Sequence, residues 1–405
     1  MTGLEPLSRS AEGLRRTWQQ MNSNIPLGHL TEEDFLANYW QKKPVLIRQA
    51  FPGFESPLEP DELAGLAIQE GVLSRLILEK GGAYPWELRQ GPLPEDTFDA
   101  LGDANWTVLV QEVDRHVPTV ADLFDRFTFL PNWRKDDVMV SFAAKDAGVG
   151  AHIDSYDVFL LQGSGKRRWE IGLPMSEKDA RYKEGLDIRI LENFEATEVF
   201  ELEPGDMLYL PPGVPHNGVA MEPCLTYSFG FLAPTRTEMV ADFGDWHEAH
   251  YGPTRYADPD RMGGRNPGLI SEHDINRVLR LLQQVPLERG ALADWFGRFI
   301  TRPQRGPADL EEYEGTFDDF KADFKESGSW RRHEGVRIAG WLADGSKLFV
   351  DGHQVGAKLD EELVHLLSGS REVPYDMAVE RPTLLDLLFD FTKRGWGYLL
   401  SGDDD

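Results

Sequence analysis

Between Val138 and Phe231 the chain sets short strand-like stretches close together: "VMVSFAA", "SYDVFLLQG", "KRRWEIG", "EVFELE", "DMLYLPP" and "CLTYSFGF". No helical segment intervenes. Strands this dense along a chain specify a sandwich or barrel. The turns "GSGK" (163–166) and "EPGD" (203–206) predict antiparallel hairpins within it.

The flanks differ. Upstream, "LTEEDFLANYWQKK" predicts a helix capped at Thr31, "PVLIRQAF" a strand entered through Pro44, "LEPDELAGLAIQ" a second helix and "WTVLVQEV" a second strand. After Pro234, "RTEMVADFGDWHEAHYG", "HDINRVLRLLQQV" and "LADWFGRFIT" place apolar residues three and four apart, which predicts helices over roughly 236–300. That section reads either as a cap on the barrel or as a dimerisation surface. Beyond "TRPQRGP", a hairpin signal at Asp351-Gly352 lies among helical patterns, "DEELVHLLSG" and "RPTLLDLLFDFTKRG", before a strand-like "WGYLL" and an acidic "DDD" end. Helices with a hairpin make a winged-helix-like section.

Composition narrows the chemistry. A chain of 405 residues, 41% hydrophobic, has room for two or three domains with substantial cores. No apolar run reaches membrane-spanning length, and "MTGLEPLSRSAEGLRRTW" lacks the apolar middle of a secretory signal, so a cytoplasmic protein with no membrane partner is expected. The single cysteine, Cys224, excludes an intrachain disulfide and a Cys-rich zinc site, so a metal would need His, Asp or Glu ligands. The net charge of -27 would repel nucleic-acid phosphates and attract a basic protein, besides favouring solubility.

Two segments carry candidate ligands. "GVGAHIDSYD" delivers His152 and Asp154 two residues apart, a spacing that alone arises by chance. "EPGDMLYLPPGVPHNG" adds Gly205, Pro211, Gly213 and His216 at fixed offsets, a turn and a stiffened bend that present a histidine inward. Residues two apart in a strand share a face, so His152 and Asp154 aim into one barrel interior and His216 approaches from another strand. Two imidazoles and a carboxylate on one face of an octahedral ion leave three positions open, as in non-haem Fe(II) oxygenases. The same triad with one water would serve a hydrolytic zinc.

A third segment favours the oxygenase. In "KRRWEIG", Arg167 shares a strand face with Trp169 and Ile171, which are natural interior residues. An arginine inside needs an anion. The distal carboxylate of 2-oxoglutarate would supply one; a structural acid would also, and an Arg167 turned outward beside Lys166 and Arg168 would need none. Ser141, Tyr156, Thr226 and Ser228 lie on strand segments and offer hydroxyl contacts or ordinary core polarity.

The segments "DDVMVSFAAKDAGVGAHIDSYDVFLLQGSGKRRWEIG" and "LEPGDMLYLPPGVPHNGVA...LTYSFGF" resemble those of the JmjC-type 2-oxoglutarate oxygenases of the cupin superfamily. More closely, nearly the whole chain is similar to the bacterial ribosomal oxygenases. The resemblance implies an α+β fold: a double-stranded β-helix (cupin/JmjC jelly roll) catalytic domain over 1–235, a helical dimerisation domain over 236–300 and a winged-helix-like C-terminal domain over 301–405. It implies that His152, Asp154 and His216 bind catalytic Fe(II), and that Arg167, with Ser228, holds the cosubstrate 2-oxoglutarate, O2 being the second cosubstrate. The implied activity is protein hydroxylation at C3 of an arginine in large-subunit ribosomal protein sixteen, a basic partner, with succinate and CO2 as coproducts. Some eukaryotic relatives hydroxylate histidine instead. An arginine entering the pocket would call for carboxylates at the mouth, and Asp146 and Asp157 are candidates. The resemblance also implies a homodimer, and the acidic last section argues against direct nucleic-acid binding. Two other classes stay open: a metal-dependent cupin isomerase or hydrolase acting on a small molecule, and a non-enzymatic ribosome-assembly factor.

Overall fold

The computed structural model describes residues 25–80, 86–261, 269–285, 287–303, 312–343, 345–356 and 359–400. The N-terminal stretch read for a secretory signal and the "DDD" end lie outside them. The chain divides into two compact units, Met1–Ala233 with His333–Gly335, and Pro234–Arg332 with Val336–Asp405.

In the first unit, α1 (Glu32–Asn38) starts where the Thr31 side chain accepts the Asp34 N–H at 3.1 Å. α2 (Pro60–Ala67) opens with proline, whose missing N–H costs nothing in a first turn. The short helices α3 (Val113–His116) and α4 (Pro118–Asp125) follow. Eight strands, β1 (Val45–Ile47), β2 (Ser74–Glu79), β3 (Trp86–Gln90), β4 (Trp106–Val110), β5 (Lys135–Ala143), β6 (Asp157–Ser164), β9 (Met207–Leu210) and β11 (Cys224–Phe231), form one antiparallel sheet in the order β1-β9-β6-β11-β5-β4-β2-β3. β7 (Arg167–Ile171), β8 (Glu198–Leu202) and β10 (His216–Ala220) form a second, β10-β7-β8. The strand density predicted a sandwich or barrel, and the two sheets form the jelly roll that the resemblance implies.

Inside the large sheet, β6 is buried on both faces. On one face Phe159, Phe229 and Phe231 pack with Phe35, Phe124 and Phe127 in an aromatic core, where each fully buried phenylalanine contributes about 1.5–3 kcal/mol. On the other, Val158 and Leu160 of β6 pack with Trp169 and Ile171 of β7. Alternation along β6 therefore serves two cores, and its side chains are buried from Asp157 to Gly163.

Both predicted hairpins fail. β6 pairs with β9 and β11, whereas β7 pairs with β10 and β8, so "GSGK" carries the chain from one sheet to the other. "EPGD" makes the same crossing, from β8 to β9. Turn residues report a tight reversal; which strand the next segment pairs with is a tertiary choice. At the first corner Gly165 has φ +61°, and a Cβ there would lie 2.2 Å from the Pro223 carbonyl oxygen.

The second unit holds α5 (Arg236–Tyr251), α6 (Glu272–Gln283) and α7 (Arg289–Thr301). Capping boxes Thr235/Glu238 and Ser271/Asp274 start the first two. Its remaining described elements are α8 (Phe317–Ser327), β12 (Ser329–Arg332), β13 (Ile338–Trp341), β14 (Lys347–Val350), β15 (His353–Val355), α9 (Glu361–Gly369), β16 (Glu372–Pro374), α10 (Tyr375–Val379), α11 (Pro382–Lys393) and β17 (Gly397–Leu399). The Asp351-Gly352 hairpin forms between β14 and β15. No helix among the described residues is long and apolar enough to cross a membrane.

Candidate metal and cosubstrate site

The loop between β5 and β6 is held at its glycines. The Gly148 N–H donates to Glu79 Oε1 at 3.0 Å, and Thr107 Oγ1 donates to the Gly148 carbonyl at 3.1 Å. A Cβ on Gly148 would stand 2.4 Å from the Gly218 carbonyl oxygen of β10, and one on Gly150 would stand 2.8 Å from Ile190 Cδ1. Only glycine lets this loop lie against β10 and reach His152.

His152 then makes one antiparallel bridge to His216, each N–H donating to the other's carbonyl at 3.0 Å. Directly opposed residues in an antiparallel pair project to the same side, and the ring centroids lie 4.2 Å apart. Beyond His152 the backbone leaves strand geometry, so Asp154 is not on the regular strand expected for it. Its carbonyl instead accepts the Gly213 N–H at 2.8 Å, which ties Asp154 to the proline-glycine bend before His216.

The three side chains offer ligand atoms that all lie within 4.8 Å of one another. His152 Nδ1 faces the Gly150 carbonyl at 2.9 Å and His216 Nδ1 faces the Val214 carbonyl at 3.0 Å. Donation from Nδ1 leaves each Nε2 as the free lone pair. His216 Nε2 sits 3.6 Å from Asp154 Oδ2. Burial, and then the neighbouring His152, push the His216 imidazole down to about 4, so it is neutral and able to ligate at neutral pH.

A cavity of about 850 Å³ opens over the triad, and Arg167, Ser141, Tyr156, Thr226 and Ser228 line it. Arg167, Trp169 and Ile171 are the buried positions of β7, as alternation predicts. Arg167 is 2% exposed and bonds only neutral groups: Ser141 Oγ at 3.4 Å, Thr226 Oγ1 at 3.2 Å and the Gly218 carbonyl at 3.3 Å. Its Nε is buried without a partner, and Trp169 lies under the guanidinium at 4.9 Å. Among the described residues no carboxylate pairs with it. A buried guanidinium lacking a counter-charge suits an anionic ligand.

Asp146 and Asp157 do not line the cavity. Asp157 is fully buried on the opposite side of β6, taking hydrogen bonds from Tyr209 Oη at 2.6 Å, Gln41 Nε2 at 3.0 Å and Arg134 at 3.1 Å. Its sequence parity, odd relative to Val158 and Leu160, is the physical reason. Asp146 is exposed. The carboxylates on the wall are Asp137, Asp154, Glu177 and Asp187. Asp137 was legible: it shares strand parity with Ser141 on β5. Glu177 and Asp187 come from the irregular stretch between β7 and β8, which no period marks.

Comparison with known proteins agrees with this geometry. A JmjC domain matches residues 122–239. The ribosomal protein uL16 3-hydroxylase of Escherichia coli is 34% identical over 371 residues, covering 90% of this chain and 96% of the relative. The chain belongs to the ribosomal oxygenases. A solved E. coli ribosomal oxygenase in complex with cobalt and 2-oxoglutarate superposes on this oxygenase with a TM-score of 0.79 at 32% identity, covering 91% of this chain and 98% of the other. The same E. coli protein with cobalt and succinic acid gives a TM-score of 0.77. The donors of this oxygenase fit such a pair of ligands: two imidazoles with a carboxylate for a divalent metal, and an unpaired buried guanidinium for a dicarboxylate.

Proposed function

We propose that this ribosomal oxygenase hydroxylates the large-subunit ribosomal protein uL16, at C3 of an arginine, while converting 2-oxoglutarate and O2 to succinate and CO2. The observation that carries the reading is the meeting, in one cavity, of a three-ligand metal site with a buried, uncompensated arginine.

His152, Asp154 and His216 would hold Fe(II), which when bound supplies the activation of oxygen coupled to decarboxylation. Arg167 would clamp the distal carboxylate of 2-oxoglutarate, its fork oriented by Ser141, Thr226 and the Gly218 carbonyl. Trp169 fixes the plane of the guanidinium from below, and Ser228, 8% exposed, offers a hydroxyl from β11. A cationic target side chain would find Asp137, Glu177 and Asp187 on the way in.

The acidity of the chain, -27 overall, favours encounter with a basic free ribosomal protein over phosphate-coated assembled ribosomes, and argues against direct nucleic-acid binding. Such a partner favours a cytoplasmic enzyme. The helical section supports a homodimer: Ile275, Val278, Leu279 and Leu282 make an apolar stripe on α6, each between 42% and 65% exposed.

The test is peptide mass spectrometry of purified uL16 after incubation with enzyme, Fe(II), ascorbate and 2-oxoglutarate. One added oxygen on an arginine is expected, dependent on 2-oxoglutarate and absent with His152→Ala or Asp154→Ala proteins of unchanged circular dichroism. Hydroxylation retained by those variants would refute the metal site. Succinate release without modified uL16 would refute the substrate.

A further inference from the structure

The cavity extends well past the metal triad. Its far wall is one face of β2, β3 and β4, carrying Arg75, Ile77, Leu88, Gln90, Leu109 and, just after β4, Gln111. Strand register sets Gln90 and Leu109 on either side of Arg75. Arg75 is half-buried, and its Nε is out of contact with solvent and has no partner. Among the described residues its one hydrogen-bond contact is to the Met139 thioether at 4.0 Å, a weak acceptor. No described carboxylate forms an ion pair with it. Asp137, on the same cavity wall, already accepts the Glu112 N–H at 3.3 Å.

A second unpaired guanidinium in the cavity has no counterpart in the cosubstrate, whose carboxylate Arg167 serves. Nor would it meet a cationic target side chain favourably. It needs an oxygen. The glutamine amides beside it both donate and accept, which suits the alternating N–H and C=O groups of an extended chain.

We propose that Arg75, with Gln90 and Gln111, forms a substrate-anchoring subsite that binds an oxygen acceptor of the polypeptide substrate next to its target residue. The acceptor is a main-chain carbonyl or a side-chain carboxylate. This rests on the protein-hydroxylase reading above.

The test uses the full-length Fe(II)-loaded enzyme and a uL16 peptide spanning the modified residue. Arg75→Gln raises KM for the peptide about tenfold, equivalent to about 1.4 kcal/mol, while KM for 2-oxoglutarate does not move. Arg75→Lys recovers part of the loss, and Gln111→Ala raises peptide KM without touching the arginine, which covers the case of a poorly folded Arg75→Gln protein. Peptides with acidic side chains amidated abolish the difference between wild type and Arg75→Gln if the acceptor is a carboxylate; (E)-alkene replacement of flanking peptide bonds, which removes the carbonyl oxygen, does so if it is a carbonyl. A difference that survives both analogues, or an unchanged peptide KM in Arg75→Gln and Gln111→Ala, overturns the subsite. If the wild-type enzyme leaves uL16 peptide and intact uL16 unmodified, the substrate reading falls first, and the subsite with it.

Discussion

Replacing Arg167 by methionine separates a binding role from a structural one. The guanidinium is 2% exposed and its contacts are neutral, at 3.2–3.4 Å. Burying an unpaired cation costs several kcal/mol, and apolar replacements of buried charges are often neutral or stabilising. Against that, three hydrogen bonds to neutral groups are lost, each worth about 1 kcal/mol. The net change for the ligand-free protein is about 0–2 kcal/mol in favour of methionine. In a unit of this size each kcal/mol moves Tm by about 2–4 °C, so Arg167→Met melts no lower than wild type and up to about 8 °C higher.

With 2-oxoglutarate the order reverses. Removing one partner of a buried charge pair costs about 2–5 kcal/mol, or about 30- to 5,000-fold in affinity. At a hundred times its Kd the ligand stabilises wild type by about 2.7 kcal/mol, and at that concentration the variant gains about 0.9 kcal/mol at the 30-fold end of the range and almost nothing at the 5,000-fold end. The assay is thermal melting with an inert divalent metal, with and without 2-oxoglutarate. A variant that melts several degrees below wild type and keeps its 2-oxoglutarate shift would refute the reasoning, because Arg167 would then be paired for stability.

Gly148→Ala forces a Cβ to within 2.4 Å of the Gly218 carbonyl; it should cost about 1–3 kcal/mol by thermal melting and weaken metal binding measured by titration calorimetry, and a normal metal Kd would show the loop adapts. Burial raises the Glu79 carboxyl above its ordinary 4.5. Such a raised group contributes stability below its unfolded pKa that is lost as pH rises through the folded pKa. Glu79→Gln keeps an acceptor for the Gly148 N–H and removes the titration, so its Tm relative to wild type should climb as pH goes from 4 to 8; a flat difference would refute burial as the dominant influence. Leu279→Glu places a charge in the apolar stripe of α6, where the leucine is 51% exposed, and should convert the proposed homodimer to monomer in analytical ultracentrifugation. An unchanged sedimentation coefficient would place the interface elsewhere.

What was legible in the sequence had a local physical cause. Alternation in "RRWEI" put Arg167 inside because Trp169 and Ile171 must be buried, and the structure agrees at each position. The triad was legible because glycines at 148 and 150 and the bend at 211–213 have few other uses in strands. Sheet membership was not: "GSGK" and "EPGD" are corners because β6 and β9 already pair with each other, a choice made between segments distant in the chain. The β2–β3 hairpin went unread although "SRLILE" is strand-like, and with it the far half of the cavity.

The geometry around β10 joins the metal triad to the proposed cosubstrate site. β10 begins with His216, and its Gly218 carbonyl accepts from Arg167 while Gly148 packs against that same oxygen. Gly218 has no alternative residue either, since a Cβ there would lie 2.6 Å from Trp169 and 2.8 Å from Arg167 Nε. The loop bearing His152 and the strand bearing Arg167 are thus referenced to one peptide group, two residues from the remaining histidine. A displacement of β10 would move His216 and Arg167 together, so the spacing between the metal triad and the proposed cosubstrate clamp is set by a single short strand. Two ligand sites on independently mobile loops would need separate ordering costs to reach the same spacing.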